Sequence, residues 1–173
     1  MKPTRLILLV VIMMLAIASR QTALAGSLTD LDAKYGFRDL VFGSTLTKDM
    51  KLTEDDGDEK WYNRPHDDLK IGAAVLKEIS YGFYQNQLMS VLIHTTGFVN
   101  SRALLQVLTE AYGQGTQDNK FSEDYWWRGN RVRLVYRQNP ITDDATIIFT
   151  SYELSAKQKA DEKAKAKKAA EGL

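Results

Sequence analysis

The sequence predicts an α+β domain in which an antiparallel sheet of about five to six strands packs against one main helix. Three observations predict this class. Two pairs of β-branched and aromatic runs are each joined by a short polar turn, one segment repeats apolar residues at helical spacing, and all aromatic residues lie between Tyr35 and Tyr152. Because aromatic rings supply much of the buried area of a small core, we expect the domain to span residues 35–153.

The composition excludes several kinds of chemistry. The chain of 173 residues is 44% hydrophobic and 26% charged, which suits one globular domain. It contains no cysteine, so disulfides, thiol nucleophiles, cysteine-ligated metals and lipid attachment through cysteine are excluded. The sequence has no glycine-rich phosphate loop, dinucleotide fingerprint or nucleophile elbow, and it predicts no cofactor.

Residues 1–25 have the pattern of a secretory signal peptide. Two basic residues precede an uncharged apolar run over residues 6–18, and Ala23-Leu24-Ala25 places small residues where signal peptidase requires them. The run is shorter than the roughly 20 residues that a helix needs to span a bilayer. We therefore expect cleavage before Gly26, a periplasmic or secreted protein, and no transmembrane anchor after cleavage; an uncleaved anchor is the alternative.

Charge is distributed unevenly along the chain. Removal of residues 1–25 takes away three basic side chains and no acid, leaving 20 basic and 22 acidic ones. Residues 155–173 carry a net +3, so residues 26–154 carry −5. This mildly acidic body does not favour nucleic acid as a partner. Residues 26–34 are expected to form a linker, and residues 154–173, rich in Lys and Ala, a solvated helical tail that buries little.

The first half of the domain alternates strand-like and helix-like stretches. Residues 36–42 resemble a short strand, residues 45–52 could form two helical turns, and the acidic residues 54–59 are expected to form a loop. The clearest element follows, because residues 75–84 and 88–95 are apolar runs separated by three polar residues, which predicts a hairpin.

A two-residue turn in this hairpin would decide which side chains share a face. Ile79, Tyr81 and Phe83 would then lie with Leu88, Ser90, Leu92 and His94, while Tyr84, Met89, Val91 and Ile93 would occupy the other face. Both faces are largely apolar, so the hairpin should be central in the sheet and at least partly covered on both sides.

The main helix and the remaining strands complete the sheet. Asn100 or Ser101 is predicted to cap a helix that runs to Tyr112, where Gly113 ends it. After a flexible connection, residues 125–128 and 131–137 form a second hairpin, and residues 145–151 form the last strand.

The second hairpin carries the candidate binding site. Its Gly129-Asn130 dipeptide is typical of a tight primed turn, which would pair Arg128 with Arg131 and Trp126 with Arg133. That register directs one set of side chains to the core: Tyr125, Trp127, Val132, Leu134 and Tyr136. The opposite surface would carry the predicted binding residues, which are Trp126, Arg128, Arg131 and Arg133, with Arg137 further along.

An exposed tryptophan among guanidinium groups suits a carboxylate, a phosphate, a sugar or a partner chain, because arginine offers forked donors and tryptophan offers a flat contact area. The alternative is that Trp126 only stacks with Arg133 on a solvated surface, or lies beneath the tail.

The other candidate residues give weaker evidence of a metal site or of catalysis. The acidic residues 54–59 do not match an EF-hand, because Leu52 would occupy the first ligand position, and no metal site is predicted. His66 and His94 lack metal-ligand spacing. His94 could still act as a general base if the fold brought an acid near it, which leaves a hydrolase as a second hypothesis.

Several short motifs resemble known families. Residues 36–43, Leu46, a Tyr-x-Phe hairpin, Tyr112-Gly113 and Tyr125-Trp126-Trp127 resemble small uncharacterised bacterial exported domains over about residues 37–151. The segment at residues 42–46 also resembles envelope-assembly lipoproteins and the β-lactamase-inhibitor-like fold, although the lipid-bearing cysteine is absent. The resemblance implies the compartment and an antiparallel sheet with helices beside it, and it implies no activity.

The sequence thus favours a non-catalytic periplasmic interaction module of the bacterial envelope, whose Trp/Arg surface contacts an envelope protein or an anionic envelope component. A hydrolase using His94 is one alternative. Binding of the Lys-rich tail to anionic polymers or lipid headgroups is another.

Overall fold

Ten strands and three helices form the part of the chain that the computed structural model describes, residues 26–172. In chain order they are α1 (Leu28–Lys34), β1 (Gly36–Phe37), β2 (Leu40–Val41), β3 (Lys51–Asp56), β4 (Glu59–Asn63), β5 (Lys70–Ile71), β6 (Ala74–Tyr84), β7 (Gln87–Thr95), α2 (Gly97–Tyr112), β8 (Asp124–Arg128), β9 (Val132–Gln138), β10 (Ala145–Ser151) and α3 (Tyr152–Ala170). The predicted signal peptide lies outside the described residues. Within residues 26–172, no helix is long and apolar enough to cross a membrane.

The fold is α+β, as predicted. The main sheet has the order β3-β4-β6-β7-β10-β9-β8, every neighbouring pair is antiparallel, and β5 pairs with β6 outside this order. A separate pair, β1 and β2, occupies the segment predicted as one strand. With eight strands, the main sheet is larger than the predicted five to six.

Part of the difference is an acidic hairpin, formed by β3 and β4, where a loop was expected. All six residues of β3 are exposed, and the turn to β4 uses Gly57 at a φ of +72°. Lys60 donates to Asp55 across the hairpin at 2.7 Å. Charged residues are poor strand formers in general but are common in edge strands, where they discourage pairing with other chains. The predicted helix at residues 45–52 is absent, since β3 begins at Lys51.

The central hairpin contains a bulge that changes its faces. Gln85 and Asn86 form a two-residue turn with φ of 48° and 63°, as expected for a primed turn. A register shift between Gly82 and Phe83 then places Ile79 opposite Ile93 and Tyr81 opposite Val91, all on the helix side. The predicted face assignment was therefore wrong beyond the bulge, and Ser90, Leu92 and His94 lie on the other face.

The core lies between α2 and one face of the sheet. Leu104 and Leu108 of α2 contact this core, whose largest buried side chains include Trp127, Tyr136 and Phe149. α2 begins at Gly97, earlier than the predicted caps at Asn100 or Ser101. Their side chains make tertiary contacts instead. Asn100 Oδ1 accepts from Val75 N at 2.9 Å, and Ser101 Oγ donates to Asp143 O at 2.7 Å.

Residues 26–34 form a helix where a linker was expected. A capping box between Ser27 and Asp30 begins α1, and Leu31 is only 1% exposed. This short helix places Asp32 against the β8–β9 turn. Its carboxylate accepts backbone N–H bonds from Asn130, Arg131 and Val132 at 2.5, 2.8 and 3.0 Å.

The Lys- and Ala-rich tail is helical, but its first half is docked rather than solvated. Leu154 is buried against Tyr84 and Met89. Tyr84 Oη donates to Asp161 at 2.8 Å, and Gln158 donates to Glu59 at 2.5 Å. Residues at positions 154, 158 and 161 lie on one face of a helix, and this face was hidden from the sequence prediction because it is mostly polar.

Replacement of Asp32 should destabilise the protein although the side chain is not fully buried. We expect Asp32→Asn to lower the free energy of unfolding by about 1–3 kcal/mol, because three backbone donors lose a charged acceptor. Urea denaturation at neutral pH measures the change. The matched control is Glu54→Gln, an exposed carboxylate of β3, for which we expect a change within about 0.5 kcal/mol. Equal stability of the two variants would contradict the prediction.

The contribution of Asp32 to the free energy of unfolding should depend on pH. Burial opposes ionisation, but the backbone donors of Arg131, Asn130 and Val132 and the charge of Arg131 outweigh it and hold the pKa of Asp32 below its ordinary value of 3.8. A lowered folded-state pKa stabilises the protein fully above the unfolded value, and this stabilisation is lost as pH falls through the folded value. The stability difference between the wild type and Asp32→Asn should therefore stay constant down to about pH 4 and close below it.

Candidate functional site

The face of the main sheet opposite α2, here called the outer face, holds most of the predicted binding residues. Alternation along each strand sends every second side chain to this face. Its half-buried members are Trp61, Glu78, Leu92, His94, Thr146, Ile148, Trp126 and Arg133, beside the buried Val135 and Thr150. Neither α1 nor α2 covers this surface, whereas α3 crosses its end near Tyr84.

The β8–β9 hairpin has a longer turn than predicted. Arg128 pairs with Arg133 and Trp126 pairs with Val135, so the register is shifted by two residues from the predicted one. The four intervening residues are held by Asp32 and by a bond from Gly129 N to Val132 O at 3.0 Å. Because a shift of two residues preserves the alternation, the predicted core face of this hairpin is confirmed, and Trp126, Arg128 and Arg133 lie on the predicted outer face, whereas Arg131 does not.

Trp126 lies between two cations. The guanidinium carbons of Arg128 and Arg137 are 5.0 and 5.3 Å from its ring centroid, within cation–π distance. Its backbone exchanges two hydrogen bonds with Thr116, at 2.8 and 2.9 Å, so the outer edge of β8 is paired at this residue. The predicted stacking partner Arg133 is replaced by Arg128 and Arg137, which flank the ring.

Arg133 is the unusual residue of this surface. Its side chain is half-buried, and its Nε is buried without a hydrogen-bond partner. Among residues 26–172, no carboxylate forms an ion pair with Arg133 or Arg137, whereas Arg128 contacts Asp118 at 3.4 Å with both groups exposed. An exposed pair of that kind contributes little, so the cluster retains guanidinium donors for a ligand.

The structure separates Arg131 from the other three predicted residues. It lies in the β8–β9 turn, and its guanidinium carbon is 3.6 Å from the centroid of the Tyr35 ring. Tyr35 in turn shares a hydrogen bond of 3.0 Å with Ser151, whose side chain belongs to the core face. The predicted pairing of Arg131 with Arg128 was therefore wrong, because the longer turn directs Arg131 towards α1.

His94 lies on the outer face, with Glu78 as its cross-strand neighbour. Its Nδ1 is 3.1 Å from Thr146 Oγ1 on the neighbouring strand. Glu78 is opposite His94 in the register, but its carboxylate accepts from Ser80 at 3.0 Å and from Asn63 at 3.3 Å. In the described part of the chain, no carboxylate forms a hydrogen bond with His94, and such a bond is what orients the general base of a catalytic triad.

The sequence did not reveal two further features of this surface. Arg137 was placed beyond the cluster but contacts Trp126, since the register shift draws it closer. Trp61 covers Gly82, where a Cβ atom would lie 2.9 Å from the indole ring, so only glycine fits beneath it. Between residues 26 and 172, no group of three or more His, Asp or Glu side chains converges on a metal position.

The geometry defines an α+β domain with an open sheet face that carries aromatic and guanidinium groups. Comparison with family models, curated proteins and solved structures gave no match. The resemblance to bacterial exported domains therefore stays a prediction.

Removal of the buried, unpartnered nitrogen of Arg133 should stabilise the protein. Arg133→Met keeps the length of the aliphatic stem and removes the guanidinium, so we expect the free energy of unfolding to rise by about 1 kcal/mol. Chemical denaturation measures this change. Arg137→Met is the matched control, because that side chain is exposed and its loss should change stability by less than about 0.5 kcal/mol. A destabilised Arg133→Met protein would show that Arg133 serves the fold.

Proposed function

We propose that this protein is a non-catalytic interaction module of the bacterial envelope, exported by its leader, that binds an acidic segment of a partner protein. The contact surface is formed by Trp126, Arg128, Arg133 and Arg137. The observation that carries the proposal is Arg133, a half-buried guanidinium whose Nε has no partner. A carboxylate bound to the remaining donors would offset the cost of holding this charge partly out of water.

The chemistry of the cluster favours carboxylates. Guanidinium groups present donors in a planar fork that matches a carboxylate, and Arg133 and Arg137 project from alternate positions of the same strand face. Trp126 between Arg128 and Arg137 keeps these groups in place and offers a flat, partly apolar surface. Such combinations of Trp and Arg are enriched at the energetic centres of protein interfaces.

Two features favour a protein segment over a long polyanion. Residues 26–154 carry a net charge of −5, so bulk attraction to a polyanion is weak and the attraction is confined to this cluster. The cluster also adjoins the half-buried apolar side chains of Leu92 and Ile148, which can contact the apolar residues of a partner. A polar rim beside apolar contacts is the usual anatomy of a protein interface.

Crosslinking at the outer face should identify the partner. A photo-crosslinking amino acid at position 148 should capture a protein in the envelope through a peptide that contains Asp or Glu. The same group at position 99 of α2, where Val99 is 77% exposed on the other side of the sheet, is the control and should not capture it. Mass spectrometry of the crosslinked peptides measures both results.

Substitutions then test which residues bind. Arg133→Met combined with Arg137→Met should lower the crosslinking yield by about 10-fold or more, since each charged contact contributes about 1.5–3 kcal/mol. Arg131→Met is the matched control on the same hairpin, because Arg131 contacts Tyr35 instead of the outer face. An unchanged yield in the double variant, or an equal loss in Arg131→Met, would overturn the proposal.

A further inference from the structure

Gly26 packs against the end of α2 in a position, here called the seat, that only glycine can occupy. Its backbone nitrogen donates to Glu110 O at 3.0 Å. A Cβ atom on Gly26 would lie 1.8 Å from Ala111 O and 2.1 Å from Ala111 C, which are backbone atoms that cannot give way. Gly113 lies on the other side of this contact, because a Cβ there would meet Gly26 O at 2.9 Å. The start of the described chain is thus packed tightly against the last turn of the main helix.

This end of α2 offers a favourable place for a positive charge. The last carbonyl groups of a helix have no partner within it, and they form the negative end of the helix dipole. The last turn of α2 contains no basic residue that could neutralise them. The Gly26 nitrogen reaches one of these carbonyls, and the carboxylate of Asp30, which binds Ser27 N at 2.7 Å, lies on the adjoining turn of α1.

We propose that the Ala25–Gly26 peptide bond is the processing site and that the α-ammonium group released on Gly26 binds the carbonyl end of α2. Signal peptidase would hydrolyse the bond with one water molecule, leaving a carboxylate on Ala25 and an amine on Gly26 that takes up a proton. The small residues of Ala23-Leu24-Ala25 suit the enzyme, and glycine at position 26 suits the seat. This inference rests on the export part of the proposed function and is independent of the binding surface.

Processing would therefore strengthen the fold. Before cleavage, the Gly26 nitrogen is a neutral amide that donates one hydrogen bond. After cleavage, it is a cation with additional donors beside partial negative charges.

The processing site is tested by the mass of the exported protein. The full chain is produced in a bacterium that contains signal peptidase and is recovered from the periplasm. Intact mass and N-terminal sequencing should show a chain that begins at Gly26. A chain that begins at any other residue, or that retains Met1, would overturn the assignment.

The ammonium seat is tested by moving the charge and keeping every contact. One Ser inserted between Ala25 and Gly26 leaves the cleavage motif intact, keeps an N–H on Gly26 and shifts the ammonium outward by one residue. We expect Tm to fall by about 1–4 °C and the difference to shrink at high salt. The control carries the same Ser after Leu173 and should melt like the wild type. An unchanged Tm of the inserted variant would disprove the binding of the ammonium group at the end of α2, even if the wild-type chain is processed before Gly26. Neither result bears on the crosslinking at position 148.

Discussion

The carboxylate of Asp32 connects the first helix of the folded domain to the distant β8–β9 turn. It accepts three consecutive backbone N–H groups from the β8–β9 turn, 98 to 100 residues further along the chain. Such a ring of donors stabilises the charged form of a carboxylate and fixes the path of the turn. The turn length decides the register of β8 and β9, and the register decides which arginines meet Trp126. The short helix at residues 28–34 therefore positions a surface on the far side of the sheet.

The outer face combines a stable scaffold with an incompletely satisfied cluster. Core residues of β7, β9 and β10 alternate with it, so the positions of its side chains are fixed by the packing beneath them. Trp126 is enclosed by Arg128 and Arg137, yet Arg133 keeps an unpartnered Nε. An apolar residue at position 133 would give a more stable domain. A residue that lowers stability within an otherwise well-packed domain is typical of functional sites.

Much of the fold followed from the sequence, and the failures have physical causes. The apolar alternation of β8, β9 and β10 predicted the core side of the second hairpin correctly, because the pattern survives a shift of two residues. The bulge between Gly82 and Phe83 reversed the faces of β7 relative to β6, since one extra residue moves every later side chain of the strand to the opposite face. β3 was missed because its charged residues are poor strand formers, although it forms a tight hairpin with β4. α1 was missed because Leu31 and Asp32 hold it through contacts with distant parts of the chain, which local preferences cannot show. Arg131 was misplaced because the bonds from Asp32 to the β8–β9 turn could not be foreseen.

The acidic strand β3 has a consequence for the whole sheet. A broad face without a covering layer, bounded by open edges, invites stacking of one copy on another into fibrils. At one margin, β3 presents Glu54, Asp55 and Asp56, whose mutual repulsion opposes the approach of an identical strand. At the other margin, Thr116 occupies the hydrogen-bonding groups of Trp126. Both margins therefore oppose the addition of a further strand at these residues, and the outer face can stay open to water without an exposed sheet edge beside it.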